Sequence, residues 1–178
     1  MEQVTLYNGV KMPLVGYGVY QVSPEECERC VRDALAVGYR AIDTAQSYFN
    51  EAQVGHALVN SGVPREEIFL TTKVWVEHYG YEEAKKSVLE SMRKLQTSYL
   101  DLVLLHQPFS GYYGAYRALE DLYAEGKVRA IGVSSFYPDR LVDIASFSRV
   151  KPMVNQVECH PFHQQGEAKR WMEKYGVQ

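Results

Sequence analysis

The sequence has no strong charge of either sign and no run of basic residues. Its 178 residues sum to a formal charge of −3, too mild to argue for a nucleic-acid or membrane-surface partner. No apolar stretch approaches the length needed to span a bilayer, and the start, Met1-Glu2-Gln3-Val4, lacks the basic and apolar segments of a signal peptide. Cysteine is scarce too. Three residues, an odd number, do not make a disulfide framework, and a reducing cytoplasm is the expected compartment. Linkers and low-complexity segments are also missing, so the chain reads as one domain long enough to bury a real core.

What is present is a regular alternation. Val4–Tyr7 and Lys11–Leu14 flank Asn8-Gly9, a strong signal for a tight hairpin. Leu14–Gly18 reads as a short strand. Ser23-Pro24-Glu25-Glu26 then opens a helix, with Ser23 as cap, Pro24 at the first position and Glu26 completing a capping box. Cys27, Cys30, Val31, Ala34 and Leu35 follow the helical period until Gly38. Further strands are expected to end at Asp43 and Lys73 and to span 99–105, 128–133 and 153–157. The helices between and after them are expected over 52–60, 82–95, 115–124, 139–147 and 165–175. Six strands alternating with six helices indicate a parallel sheet with right-handed crossovers.

The choice is then between an open doubly wound sheet and a closed barrel. After Val15–Gly18 there is no Gly-x-Gly-x-x-Gly and no Walker-type lysine. Five successive strands instead end on polar residues: Asp43, Lys73, His106, Ser134 and Gln156. Polar strand ends around a ring suit a (β/α)8 TIM barrel, whose active-site residues all project from the carboxyl face. The expectation is α/β, with about six β/α units over 15–178 and the hairpin, 1–14, closing the barrel bottom. Such barrels need about 250 residues. Either a C-terminal part of about two units is expected to be absent from this sequence, or the product is a fragment.

Several tempting features have plainer readings. Cys27-x-x-Cys30 shares the helix face of Val31, Ala34 and Leu35 and reads as core. Cys159, His160 and His163 lack further ligands at metal spacing, so no metal site is expected. His56 and His78 read as surface residues. Tyr112-Tyr113-x-x-Tyr116 has no basic groove beside it and reads as packing or as the rim of a pocket.

An acid, a phenol, an amine and an imidazole, three of them where a strand meets its following loop, suggest a proton-transfer site. Asp43-Thr44-Ala45-x-x-Tyr48-x-Asn50-Glu51, Thr72-Lys73-Val74-Trp75 and Leu104-Leu105-His106-x-Pro108 also resemble motifs of the aldo-keto reductases. Gly132-Val133-Ser134-x-Phe136 and Asn155-Gln156-Val157-Glu158-Cys159-His160-Pro161 continue the resemblance in register. In flavour it is nearest to the bacterial diketogluconate and glyoxal reductases.

The resemblance implies NADP(H)-dependent reduction of a small-molecule carbonyl to an alcohol. Tyr48 would be the general acid, and Lys73 a cation beside the phenol that lowers its pKa. Asp43 would pair with Lys73 and hold it charged, and His106 would orient the carbonyl. Asp43, Ser134, Ser135 and Gln156 are implied on the cofactor side, with Tyr20 and Trp75 lining the substrate pocket. Ser135 departs from the asparagine usual at its position, and its shorter hydroxyl is expected to reach the nicotinamide carboxamide through water. The early stop leaves an alternative: a non-catalytic cofactor-binding or truncated barrel protein. A Schiff-base aldolase using Lys73 is a further reading, opposed by the paired acid and phenol.

Overall fold

The computed structural model describes residues 2–109 and 111–178. Two short strands, β1 (Gln3–Thr5) and β2 (Lys11–Pro13), form the expected antiparallel hairpin, with Thr5 opposite Lys11. Gly9 takes φ +88°, a conformation open to glycine, and Asn8 Oδ1 accepts the Val10 N–H at 3.1 Å to tighten the turn.

Six strands then form one parallel sheet: β3 (Tyr17–Gly18), β4 (Ala41–Asp43), β5 (Phe69–Val74), β6 (Leu102–Leu105), β7 (Ile131–Ser134) and β8 (Asn155–Gln156). Their spatial order is their sequence order, β3 through β8. A doubly wound sheet reverses its winding at a switch point; this one never does. Unreversed right-handed crossovers put every helix on one face and curl the sheet toward a ring. The result is a six-stranded arc of a (β/α)8 barrel.

The helices are α1 (Pro24–Ala36), α2 (Glu51–Asn60), α3 (Tyr81–Lys94), α4 (Tyr112–Ala124), α5 (Pro138–Phe147) and α6 (Gly166–Tyr175). Most bounds fall within a residue or two of expectation. The exception is α4, which starts at Tyr112 because Tyr112 and Tyr116 are both 2% exposed and extend its buried stripe. Most strands other than β5 are shorter than expected: Leu14 and Val15 are exposed, and only Tyr17–Gly18 of the first joins the sheet. The Ser23 hydroxyl makes no capping bond. Its carbonyl instead accepts from Glu26 and Cys27 N–H, and Pro24, with φ preset and no N–H to satisfy, starts the helix without a side-chain cap.

Two apolar layers hold the arc. The outer one lies between sheet and helices and includes Val31, Val54, Leu70, Val88, Val103, Leu119, Ile131 and Ile144, all essentially inaccessible. Each such side chain contributes about 1.5–3 kcal/mol of burial. The inner layer is smaller: Phe69, Leu102, Leu104, Ala130, Met153 and Val154, floored by Leu6, Val10 and Met12 of the hairpin. Tyr7 Oη donates to Lys151 O at 2.6 Å and Asn8 Nδ2 to Arg129 O at 2.9 Å, fixing the hairpin across the amino ends of the strands. Glycine is required at position 132, where a Cβ would stand 2.4 Å from Val154 O and 2.9 Å from a Leu104 methyl. No helix is long and apolar enough to cross a membrane among the described residues.

Candidate active site

Strand parity decides which strand-end groups face the inside of the arc. Side chains alternate along a strand, so residues two apart share a face. On β5, Leu70 packs outward while Phe69 belongs to the inner layer, so Thr71 and Lys73 point inward. On β6, Leu102 and Leu104 are inward, Val103 and Leu105 outward, and His106 continues the inward set. Ile42 and Ile131 pack outward on β4 and β7, so Asp43 and Ser134 are inward as well. The same rule carries from Val154 to Gln156 on β8. One face of one period-2 pattern thus delivers five polar groups to the carboxyl end.

Lys73 is the centre of the cluster. It is 1% exposed, and its Nζ bonds Asp43 Oδ1, Thr44 O at 3.0 Å and Tyr48 Oη at 3.3 Å. Three donors meet three acceptors, the condition under which a buried ammonium is tolerable. Gln156 Nε2 donates to the other Asp43 oxygen at 3.0 Å. Tyr48 sits on a single 3-10 turn, Gln46–Tyr48, directly after β4. That turn closes on Phe49 at φ +57°, the left-handed region that a bulky side chain enters only under constraint.

His106 stands opposite. Its ring meets those of Tyr48 (5.6 Å between centres) and Trp75 (5.2 Å) edge-on, and Ser47 Oγ lies 3.3 Å from its Nδ1. The Tyr20 ring, 66% exposed, tilts against Tyr48 at 5.1 Å. Tyr20, Ser47, Tyr48, Trp75 and His106 face Ser134, Ser135 and Gln156 across a cleft of about 610 Å³. A larger depression of about 740 Å³ between α3, α4 and α5 holds charges that already pair with one another, Arg149 with Glu120 and Asp121.

The electrostatics correct one expectation. The Tyr48 phenol is not lowered by its lysine but pushed up to about 12, chiefly by burial, then by the Asp43 carboxylate and Tyr20. Burial outweighs the neighbouring ammonium, and the Asp43 carboxylate, which opposes a second negative charge on the phenol, adds to the rise. Burial likewise lowers the Lys73 pKa, and Asp43 opposes that shift. His106 is pushed down to about 4, first by burial and then by the Lys73 charge, with Asp43 opposing. Near neutrality the cluster therefore holds a protonated phenol beside a neutral imidazole.

Every residue expected at the site lies at this cleft or in the pair beneath it, Asp43 and Lys73. Ser135 takes φ +59° and donates its N–H to Gln156 O at 2.9 Å, stitching the two loops together. Sequence reasoning missed three supports. Gln46 accepts the Trp75 N–H at 2.8 Å and donates to Ser91 Oγ at 3.2 Å. Asn50, quoted only as part of a motif, is fully buried and clamps Val19 O and Val22 O of the first loop at 3.0 and 3.2 Å. Ser47 is the third. Gln46 and Ser47 occupy the open positions between Ala45 and Tyr48, so the motif gave no signal for them.

The aldo/keto reductase family model matches residues 12–178. The chain belongs to the aldo/keto reductase family. It is 46% identical to the glyoxal reductase of Bacillus subtilis over 179 residues, covering 99% of this chain and 65% of that protein. The aldo/keto reductase of Brucella melitensis superposes with a TM-score of 0.97 at 42% identity, over 99% of this chain and 70% of that one. A Bombyx mori aldo-keto reductase solved in complex with NADP gives a TM-score of 0.93 at 31% identity, over 99% of this chain and 64% of that one. The chain spans about two thirds of the length of the curated relatives it matches.

Proposed function

We propose that this chain carries the proton-transfer side of an NADPH-dependent reductase that turns aldehydes or ketones into alcohols. The observation that carries the reading is one contact set. A fully buried Lys73 ammonium, paired with Asp43, donates at 3.3 Å to a Tyr48 hydroxyl that opens on the cleft.

In this reading the substrate oxygen sits between Tyr48 Oη and His106. The phenol, pushed up to about 12, stays protonated at neutral pH and has a proton to give. As it gives that proton, negative charge grows on Oη next to the Lys73 ammonium. The cation thus stabilises the phenoxide where it forms, and does so more strongly than in water because the site is buried. Asp43 and Thr44 O hold the ammonium in place. The neutral imidazole of His106 polarises the carbonyl by hydrogen bonding.

The remaining polar groups fit a nicotinamide. Ser134 and Gln156 bring a hydroxyl and a carboxamide to the cleft, opposite Tyr48, and those groups match the donor and acceptor of a ring carboxamide. When bound, the reduced cofactor supplies the hydride. Tyr20 and Trp75 give the substrate side an aromatic wall, suited to small aldehydes and diketones. Glyoxal reduction is named for the Bacillus relative, and a dicarbonyl of that kind is the first substrate to try.

The placing of Lys73 argues against a Schiff-base role, since its nitrogen already meets three acceptors. With the whole protein, NADPH deuterated at the transferable position and a small aldehyde, deuterium is expected on the carbinol carbon of the alcohol. An alcohol formed without label, or none formed, would overturn the proposal. The three free cysteines suit a reducing, cytoplasmic setting.

A further inference from the structure

Ser47 and His106 make a contact that carbonyl reduction as described does not use. Ser47 Oγ lies 3.3 Å from His106 Nδ1, bringing the turn after β4 to the residue after β6. Both sides are held. Gln46, next to Ser47, ties the turn to Trp75 N and Ser91 Oγ. The His106 backbone N–H donates to Val74 O at 3.1 Å, and its ring is flanked edge-on by Tyr48 and Trp75.

A neutral imidazole carries one N–H. Which nitrogen bears it is set by what the other nitrogen meets. A hydroxyl that donates to Nδ1 occupies that lone pair and leaves the proton on Nε2, the nitrogen on the far side of the ring from Ser47. Only that form can donate to a carbonyl oxygen in the cleft. The opposite arrangement, with Nδ1–H donating to Ser47 Oγ, would offer the substrate a lone pair and repel the same oxygen. Among the described residues the imidazole is the one hydrogen-bond partner of the Ser47 hydroxyl, so no other acceptor competes for its proton.

We propose that Ser47 is a positioning residue that holds His106 as the Nε2–H tautomer, so that the ring donates to the carbonyl oxygen of the substrate. The proposal rests on the reductase reading for its purpose, but the tautomer can be read with no turnover at all. It also differs from the role of Tyr48. Ser47 touches no reacting atom and acts only through the ring.

The test uses the whole protein labelled with nitrogen-15 at histidine, its long-range proton–nitrogen spectrum recorded near neutral pH, and the His106 signals identified by their loss in His106→Asn. The wild-type protein is expected to show a protonated Nε2 and an Nδ1 shifted by accepting a hydrogen bond. Ser47→Ala should remove that Nδ1 shift. It should also lower kcat for a small aldehyde by about tenfold, the scale of one net hydrogen bond, with KM and NADPH affinity little changed. Ser47→Thr, which keeps the hydroxyl, should restore both the shift and kcat. A wild-type spectrum with the proton on Nδ1 would overturn the proposal, as would a Ser47→Ala variant that keeps both the wild-type Nδ1 signal and wild-type kcat. If the wild-type spectrum is as expected but no deuteride transfer occurs, the tautomer assignment stands and the reductase reading falls.

Discussion

Two buried charges sit at opposite ends of the same arc, and they differ in what their partners can do. Asp101, just before β6, is 1% exposed and lies at the amino end of the strands. Lys73, near the end of β5, is equally buried at the carboxyl end. Asp101 accepts from Arg65 and Arg129, both at 2.8 Å, and from Leu70 N–H at 3.0 Å. Arg65 is itself locked by Thr97 Oγ1, Ile68 O and Tyr99 O. The partners of Asp101 are two guanidiniums and a backbone N–H, none of them at the cleft. Lys73 also has three partners, but one is a titratable phenol at the edge of an open cleft. Burial and pairing alone therefore do not mark a functional charge. On the proposed reading, what sets Lys73 apart is a partner whose own proton can leave.

Four substitutions break or sharpen that contrast. The largest effect is expected from Lys73→Met in the whole protein. Removing the cation beside the developing phenoxide should lower kcat/KM for a small aldehyde by about 10³-fold, while thermal unfolding shows the variant still folded. Next comes Asp101→Ala, which removes the carboxylate shared by Arg65, Arg129 and the Leu70 N–H. It should cost about 3 kcal/mol in a denaturant titration and leave turnover per folded molecule near the wild-type value. A reversal of these two outcomes would erase the distinction.

The third is smaller and depends on pH. The His106 pKa falls from 6.5 to about 4 on folding, so between those values the unfolded chain takes up a proton that the folded chain refuses. Stability should therefore fall as pH drops through that window. His106→Asn should flatten that part of the stability profile, measured by thermal melts from pH 4 to 7. The smallest is Ser135→Asn. Position 135 holds φ +59°, which asparagine tolerates better than serine. A gain of about 0.5 kcal/mol in unfolding free energy is expected.

The same contrast explains what the sequence made legible. Asn8-Gly9 announced its hairpin because that turn needs a positive φ, and the helices announced themselves through apolar stripes such as Ala84, Val88 and Met92. Asp43, Lys73, His106, Ser134 and Gln156 were legible as polar ends of apolar runs, because a period of two carries each run's inner face out to its last residue. Tyr48 lies off any strand; it was legible as a phenol in the loop after Asp43, and the family resemblance supplied its role. The β3 strand was overread, since Leu14 and Val15 look like sheet residues but lie exposed outside it. Gln46 and Ser47 were not legible, as their partners Trp75 and His106 lie 29 and 59 residues away. Nor was the direction of the Tyr48 shift. It depends on how far the phenol is buried and on where the Asp43 carboxylate sits beside it, and both are set by packing.

The central claim is that the phenol held against Lys73 delivers the proton. The most direct measurement is the rate of NADPH oxidation by a small aldehyde in wild-type and Tyr48→Phe whole protein, with NADPH affinity measured on both. Tyr48→Phe is expected to bind NADPH as the wild type does and to lose turnover by about 10²-fold or more. Turnover unchanged in Tyr48→Phe would contradict that claim.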